Sequence, residues 1–297
     1  MDEPLQRRQS RHFRFHSGSV EPTPVALAPG EGEVVVDTEL RTSRIKAARD
    51  ELLLSESSYA PDQRVARPHV HREHADAFYV LEGSLLFHLA GEQRSLPAGA
   101  FALAPPGLVH GFDVGAEGVR HLNLHTPGRA FAQLSRARRE GVPFAAAEGD
   151  TFDPPSDGGL PATDAVVWMA GEGELVGTSL VKAARSELSL LEFEVRPGGG
   201  VGPHFHERHS DSFYVLAGEL EFHIGDDVVR GGVGAYVLAP PGAVHFFRNV
   251  SDEPAKALNL HTPGGFVEYR CELLALQEQG VEPDRAFFER HDVFDVE

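Results

Sequence analysis

The stretch PHVHREHADAFYVLEG, Pro68 to Gly83, returns as PHFHERHSDSFYVLAG, Pro203 to Gly218, 135 residues further on. Its surroundings return with it. IKAARDEL from Ile45 matches VKAARSEL from Val181, and HLNLHTPG from His121 matches ALNLHTPG from Ala257. PAGAFALAPPGLVHGF from Pro97 matches GGVGAYVLAPPGAVHFF from Gly231, and matched residues keep an offset of 135 or 136. The tails REGVPFAAAEGDTFD and EQGVEPDRAFFERHDVFD agree as well. Two tandem copies of one fold account for this most simply. The copies are placed at residues 31–153 and 165–297, after an arm over 1–30 and around a turn-rich linker at 154–164.

Within each copy the pattern is that of strands. DAFYVLEGSLLFHLAG and DSFYVLAGELEFHIGD read as two strands around a glycine turn. AFALAPPG and AYVLAPPG read as strands stopped by Pro-Pro-Gly, where proline fixes φ and glycine accepts φ > 0. Only AFAQLSRARREG and FVEYRCELLALQEQG look helical, each ending at a glycine suited to a C-cap. The expected fold class is all-β: two tandem barrels or sandwiches, each followed by a short helix.

Composition narrows the function. The chain carries 27 basic and 45 acidic residues, a net charge of −18, which argues against a nucleic-acid partner because phosphate binding needs a basic face. A single cysteine, Cys271, excludes an intramolecular disulfide framework and suits a reducing cytoplasm, the expected compartment. No apolar run is long enough to cross a bilayer, so no membrane role is expected. Arg7, Arg8, Arg11 and Arg14 are not followed by an apolar stretch and read as a solvated arm rather than a signal peptide.

The histidines carry the chemistry. His69 and His71 are two apart on a strand and so leave one face, as do His204 and His206. A third histidine follows the Pro-Pro-Gly turn in each copy, His110 and His245, at the same separation of 39 residues from its pair. Imidazole is the commonest protein ligand of divalent transition metals, and three converging in a barrel make a cation site with open positions. The flanks REHADA and ERHSDS have diverged while these histidines have not.

These residues resemble the cupins, and specifically a bicupin with two conserved barrels in tandem. The first cupin motif, His-x-His followed by a carboxylate and a glycine, is matched by His69, His71, Asp76 and Gly83, and by His204, His206, Asp211 and Gly218. The second is matched by Gly99, Pro105, Gly107 and His110, and by Gly234, Pro240, Gly242, His245 and Asn249. The resemblance is nearest to quercetinase-like cupins. It implies two double-stranded β-helix (jelly-roll) barrels, each holding one metal through three histidines and a carboxylate. The sequence departs from that pattern twice. Aspartate replaces the glutamate of the motif in both copies, about 1.5 Å shorter in reach, so the carboxylate either moves in or binds through water. Val114 replaces the asparagine in the first copy only.

Other polar residues recur beside the motifs. His74 and His209 lie two residues before the aspartates, as alternative ligands, orienters or proton acceptors. Asn123 with His125, and Asn259 with His261, share one strand face while Leu122, Leu124, Leu258 and Leu260 take the other. If the polar face points inward, these residues line a pocket. Phe78, Phe112, Phe213 and Phe246 are candidates to shape that pocket for an aromatic substrate. No nucleophile–base pair is legible, so no catalytic residue is assigned. The expected cofactor is one divalent transition metal per barrel, iron or manganese first, then nickel, zinc or copper. The leading expectation is a metal-dependent oxygenase of quercetinase-like type acting on a small or aromatic enolisable molecule. The alternatives are a non-catalytic ligand- or metal-sensing barrel and a redox-neutral isomerase or lyase, since the fold alone does not choose. The chain is expected as a pseudo-twofold monomer or a homodimer.

Overall fold

A computed structural model describes residues 23–89, 91–129, 151–153 and 165–296. The expected helix at 130–141 and the linker at 154–164 lie outside them. The first copy is one ten-stranded antiparallel sheet that curls on itself. The second is a seven-stranded sheet facing a five-stranded one.

Alternation explains why these runs become strands with both faces buried. On the Ala75–Leu89 strand, Asp76, Phe78 and Val80 point into the first barrel, and Ala77 and Tyr79 point out of it. On the partner strand His110–Thr126, His121, Asn123 and His125 point in, whereas Leu122 and Leu124 point out. The outward residues are not solvated. Leu52, Leu54, Tyr79, Leu122 and Leu124 meet Leu188, Leu190, Tyr214, Leu258 and Leu260 in one apolar layer between the barrels. Each leucine so buried contributes roughly 2 kcal/mol, so the barrels form one body.

A pseudo-twofold set of polar contacts crosses the same layer. Tyr79 Oη donates to Glu192 at 2.8 Å, and Tyr214 Oη donates to Glu56 at 3.1 Å. Behind each glutamate stands a fully buried lysine, Lys46 at 3.0 Å from Glu56 and Lys182 at 3.4 Å from Glu192. Burial pushes both glutamates up, but these cations and the other donors hold them below the usual carboxylate range. The repeated KAAR segments therefore serve the interface.

The copies also trade edge strands. Val25–Leu27, within the arm, pairs with Tyr236–Ala239 of the second barrel. Val166–Trp168, within the 165–297 unit, pairs with Phe101–Ala104 of the first. Each exchange covers an edge that would otherwise expose unpaired backbone groups.

The expected glycine turns are bends rather than reversals. In the first copy one strand runs through Gly83, and in the second Ser210–Ala217 and Glu219–Ile224 are separated by Gly218 alone. Gly83 sits at φ +70°, and a Cβ there would lie 2.1 Å from the Gly118 carbonyl oxygen. The strand thus leaves one face of the barrel and joins the other without changing direction. The predicted C-terminal helix is present as Phe266–Glu278, with Gly280 beyond it at φ +67°. A second helix, Arg285–Arg290, was not legible in the sequence.

Val114 and Asn249 act far from the histidines. Val114 packs in the first barrel's core and lets His110–Thr126 run unbroken. Asn249 instead ends His245–Arg248 and ties the following loop by donating to the Val195 and Glu253 carbonyls. That departure from the motif is one of loop construction.

Candidate metal centres

Strand pairing assembles each histidine set. His69 is the cross-strand partner of His110, and His204 that of His245, with ring centroids 4.5 and 4.4 Å apart. His71 and His206 stand two residues along on the same face. The Pro-Pro-Gly turns fix this arrangement: Gly107 N–H donates to the His71 carbonyl and Gly242 N–H to that of His206, both at 2.6 Å.

Backbone carbonyls set the tautomers. His69, His110, His204, His206 and His245 place Nδ1 between 2.7 and 2.9 Å from the carbonyl oxygens of Arg67, Leu108, Gly202, Asp292 and Ala243. A carbonyl only accepts, so Nδ1 carries the proton and Nε2 turns its lone pair to the centre. Burial pushes the His71 imidazole down to about 2 and the His206 imidazole down to about 4, and it lowers His69 and His204 too. These rings are neutral at pH 7, as metal ligation requires.

The aspartates reach the same space. Asp76 Oδ2 lies 3.2 Å from His110 Nε2 and 3.8 Å from His71 Nε2, and Asp211 Oδ2 lies 3.2 Å from His245 Nε2. In each set the four donor atoms fall within 4.8 Å of one another. Bonds of about 2.1 Å require neighbouring donors roughly 3 Å apart and opposite ones roughly 4.2 Å apart, so the sets fit a transition metal. Two further observations agree. His206 Nε2 is buried without a hydrogen-bond partner. His69 Nε2 faces His71 Nε2 at 3.2 Å, a contact that a shared cation relieves. Burial pushes both aspartates up, yet the surrounding imidazoles, His125 and His261 foremost, hold them well below the usual range. The Asp211 carboxylate in turn outweighs burial at His245 and raises it.

The inward polar face orients the carboxylates. Asn123 Nδ2 donates to Asp76 Oδ1, and Asn259 Nδ2 to Asp211 Oδ1, both at 2.5 Å. Each asparagine Oδ1 accepts in turn from His125 Nε2 at 3.0 Å or His261 Nε2 at 3.1 Å. The matched histidines beyond part company here. His74 Nε2 reaches His125 Nδ1 at 3.0 Å, extending a line of contacts to Asp76. His209 instead spans the Asp292 carboxylate, at 2.5 Å, and the Gly264 carbonyl, at 2.9 Å. Asp292 also accepts from the backbone N–H groups of Glu207, Arg208 and His209, so the tail clamps the second histidine loop.

Phe112 is buried in the first barrel, lining its cavity, but Phe246 is misplaced in the sequence reading. With His245 pointing in, strand parity sends Phe246 out, where it stacks on His223 at 4.0 Å. Phe247 takes the inward place.

A cavity of about 800 Å³ opens in the first barrel and reaches His69, His71, Asp76, Asn123 and His125. Arg41, Ser43, Ser55, Ser57, Tyr59 and His121 line its far end. The sequence reading missed all of these. His121 shares the inward period with Asn123 and His125, but Ala257 stands at its place in the second copy. A search for matched residues passes over it.

A cupin domain model matches residues 55–122 and 191–261, once in each barrel, which makes the chain a tandem cupin. Among characterised relatives it is 24% identical to quercetin 2,3-dioxygenase of Bacillus subtilis, covering 84% of this chain and 86% of that protein. Oxalate decarboxylase of the same organism has the same fold, with TM-score 0.53 and 15% identity over 94% of this chain and 89% of that one. So does the protein Ylba from E. coli, with TM-score 0.60 and 12% identity over 80% of this chain and 90% of that one.

Proposed function

We propose that the chain is a metal-dependent oxygenase whose first barrel is the reaction chamber, acting on a small aromatic or otherwise enolisable molecule. The observation that carries this is the cavity of about 800 Å³ that ends on His69, His71 and Asp76, a size typical of small-molecule sites. The likeness to quercetin 2,3-dioxygenase over most of the chain supports it. His69, His71, His110 and Asp76 would hold the ion, and His204, His206, His245 and Asp211 a second one. The bound ion would supply Lewis acidity, and a redox-active one would also supply a place for dioxygen. The chain's own residues do the rest. Tyr59 and Phe112 wall the cavity and limit water beside the reacting atoms. Asn123 holds Asp76 in one orientation, and the imidazole line of His125, on the cavity wall, and His74 behind it offers a place for a proton from the chamber.

That same line would also serve a redox-neutral lyase or isomerase, which needs a positioned proton carrier. Elemental analysis of protein purified without added metal or a histidine tag, with oxygen-uptake screens on enolisable aromatics, separates the two. Two equivalents of iron or manganese and substrate-dependent oxygen uptake support the oxygenase. Two equivalents of zinc and turnover without oxygen support the alternative. Absence of metal from the wild-type protein refutes both.

A further inference from the structure

The far end of the first chamber differs from the rest of the molecule in charge and in hydrogen bonding. In a chain with 18 more negative than positive charges, Arg41 turns its side chain to a barrel interior. Its guanidinium lies over the Tyr59 ring, 4.9 Å from the centroid, and makes no ion pair among the described residues. Its Nε is buried without a hydrogen-bond partner. His121, only 1% exposed, lies flat against the same tyrosine at 5.9 Å, and its Nδ1 is likewise buried and unpartnered. Ser43 and Ser57, hydroxyl to hydroxyl at 2.9 Å, complete this end. A half-buried guanidinium whose Nε lacks a partner, beside a buried and unsatisfied imidazole, is costly unless something anionic or strongly accepting meets both.

The second barrel lacks this end. Glu33 pairs with Ile45 across a hairpin of 12 residues' separation, whereas the equivalent Glu174 pairs with Val181 across seven. The five extra residues bring in Arg41, where the second copy has Gly177 beneath Leu274 of the C-terminal helix. Along the strand His121 stands four residues from His125, about 13 Å at 3.3 Å per residue. One aromatic ring and a short arm span that distance.

We propose that the first chamber binds a substrate bearing a carboxylate, which the Arg41 guanidinium and His121 receive at the far end while the reactive end faces the Asp76 centre. This rests on the reading of the first barrel as the reaction chamber and specifies its substrate class. A guanidinium fork matches a carboxylate in shape and charge. Burial pushes His121 down to about 4, so Arg41 alone supplies the positive charge and a single carboxylate balances it.

The test uses benzoate and its uncharged isostere benzamide, titrated calorimetrically into the full chain, both metal-stripped and metal-loaded. Benzoate is expected to bind both forms, with benzamide at least tenfold weaker. Arg41→Gln should weaken benzoate at least tenfold and erase the preference, with metal content unchanged, and Arg41→Lys should restore part of it. Equal binding of the two probes, no benzoate binding, or full benzoate affinity in Arg41→Gln each overturns the inference. Benzoate bound only to metal-loaded protein, and indifferent to Arg41→Gln, also overturns it, by assigning the anion to the metal. Because metal content is read separately, failure of the metal assignment shows there and not in the probe pair.

Discussion

Ser57 and Phe193 occupy equivalent places on equivalent strands, the first paired with His121 and the second with Ala257. Around Ser57 lie Arg41, Ser43, Tyr59 and open space. Around Phe193 lie Phe213 and Phe247, with ring centroids at 6.4 and 5.6 Å. Over the neighbouring Leu191 the C-terminal helix packs Val267, and its Phe266 stacks on His261 at 3.7 Å. Yet the donor sets below agree closely, with each third histidine 3.2 Å from its aspartate. The His and Asp pattern is therefore kept in both barrels, whereas Arg41, Ser57 and His121 stand where the second barrel has Gly177, Phe193 and Ala257. Under the proposed function, that difference makes the first barrel the reaction chamber.

The largest effect expected from this division is on turnover. His71→Ala and His206→Ala should each lose about one of two metal equivalents, but only His71→Ala should lower oxygen uptake by roughly 100-fold or more, because a lost ligand removes several kcal/mol of charge stabilisation. Equal losses of uptake in the two variants would break the comparison.

Exchanging the wall residues tests the same contrast through stability. Phe193→Ser should destabilise by about 3 kcal/mol, since it empties an aromatic cluster. Ser57→Phe should cost no more than about 1 kcal/mol, because the ring enters existing space, while closing the chamber to ligands. Urea unfolding monitored at Trp168 reads both. A larger cost for Ser57→Phe than for Phe193→Ser would mean that the first cavity is not available room.

The contrast also marks what a sequence can disclose. The repeat itself, the strand alternation and the eight clustered His and Asp positions are carried by matched residues, so internal comparison finds them. Period two alone does not fix the inward turn of Asn123 and Asn259, because both faces are buried here, one by the neighbouring barrel. Arg41 and His121 were lost for the opposite reason: they have no counterpart, and a reading built on matches discards what one copy gained. Phe246 went astray because the next residue, Phe247, is also aromatic, and only the parity fixed by His245 tells them apart.

The acid sensitivity that His121 adds to the first barrel is a smaller effect. Burial takes His121 from an ordinary 6.5 down to about 4. The unfolded chain therefore binds this proton first, and stability present above pH 6.5 is lost as pH falls from there towards 4. At pH 4.5 the loss attributable to His121 is about 2.5 kcal/mol at 1.36 kcal/mol per unit. Metal-stripped His121→Leu should fall that much less than wild type between pH 7 and pH 4.5. Parallel pH profiles for the two proteins would show that His121 is not held neutral.

The smallest effect tests where the copies have not diverged. Tyr79 donates to Glu192 and Tyr214 to Glu56 across the apolar layer, each glutamate backed by its own buried lysine. Removing either hydroxyl leaves the glutamate its other donors: Lys182 and Lys256 for Glu192, Lys46 and Arg120 for Glu56. The loss is then that of one hydrogen bond to a charged acceptor, about 1.5 kcal/mol, plus, for Tyr214→Phe, the longer bond its hydroxyl accepts from Arg120 at 3.3 Å. Both tyrosines line one small cavity between the barrels, so any departure of the double variant from the sum measures their coupling. A larger loss for Tyr79→Phe than for Tyr214→Phe would mean that divergence has reached the interface too. The symmetry kept there would then be one of backbone alone, and the two chambers could not be compared as variations on one fixed frame.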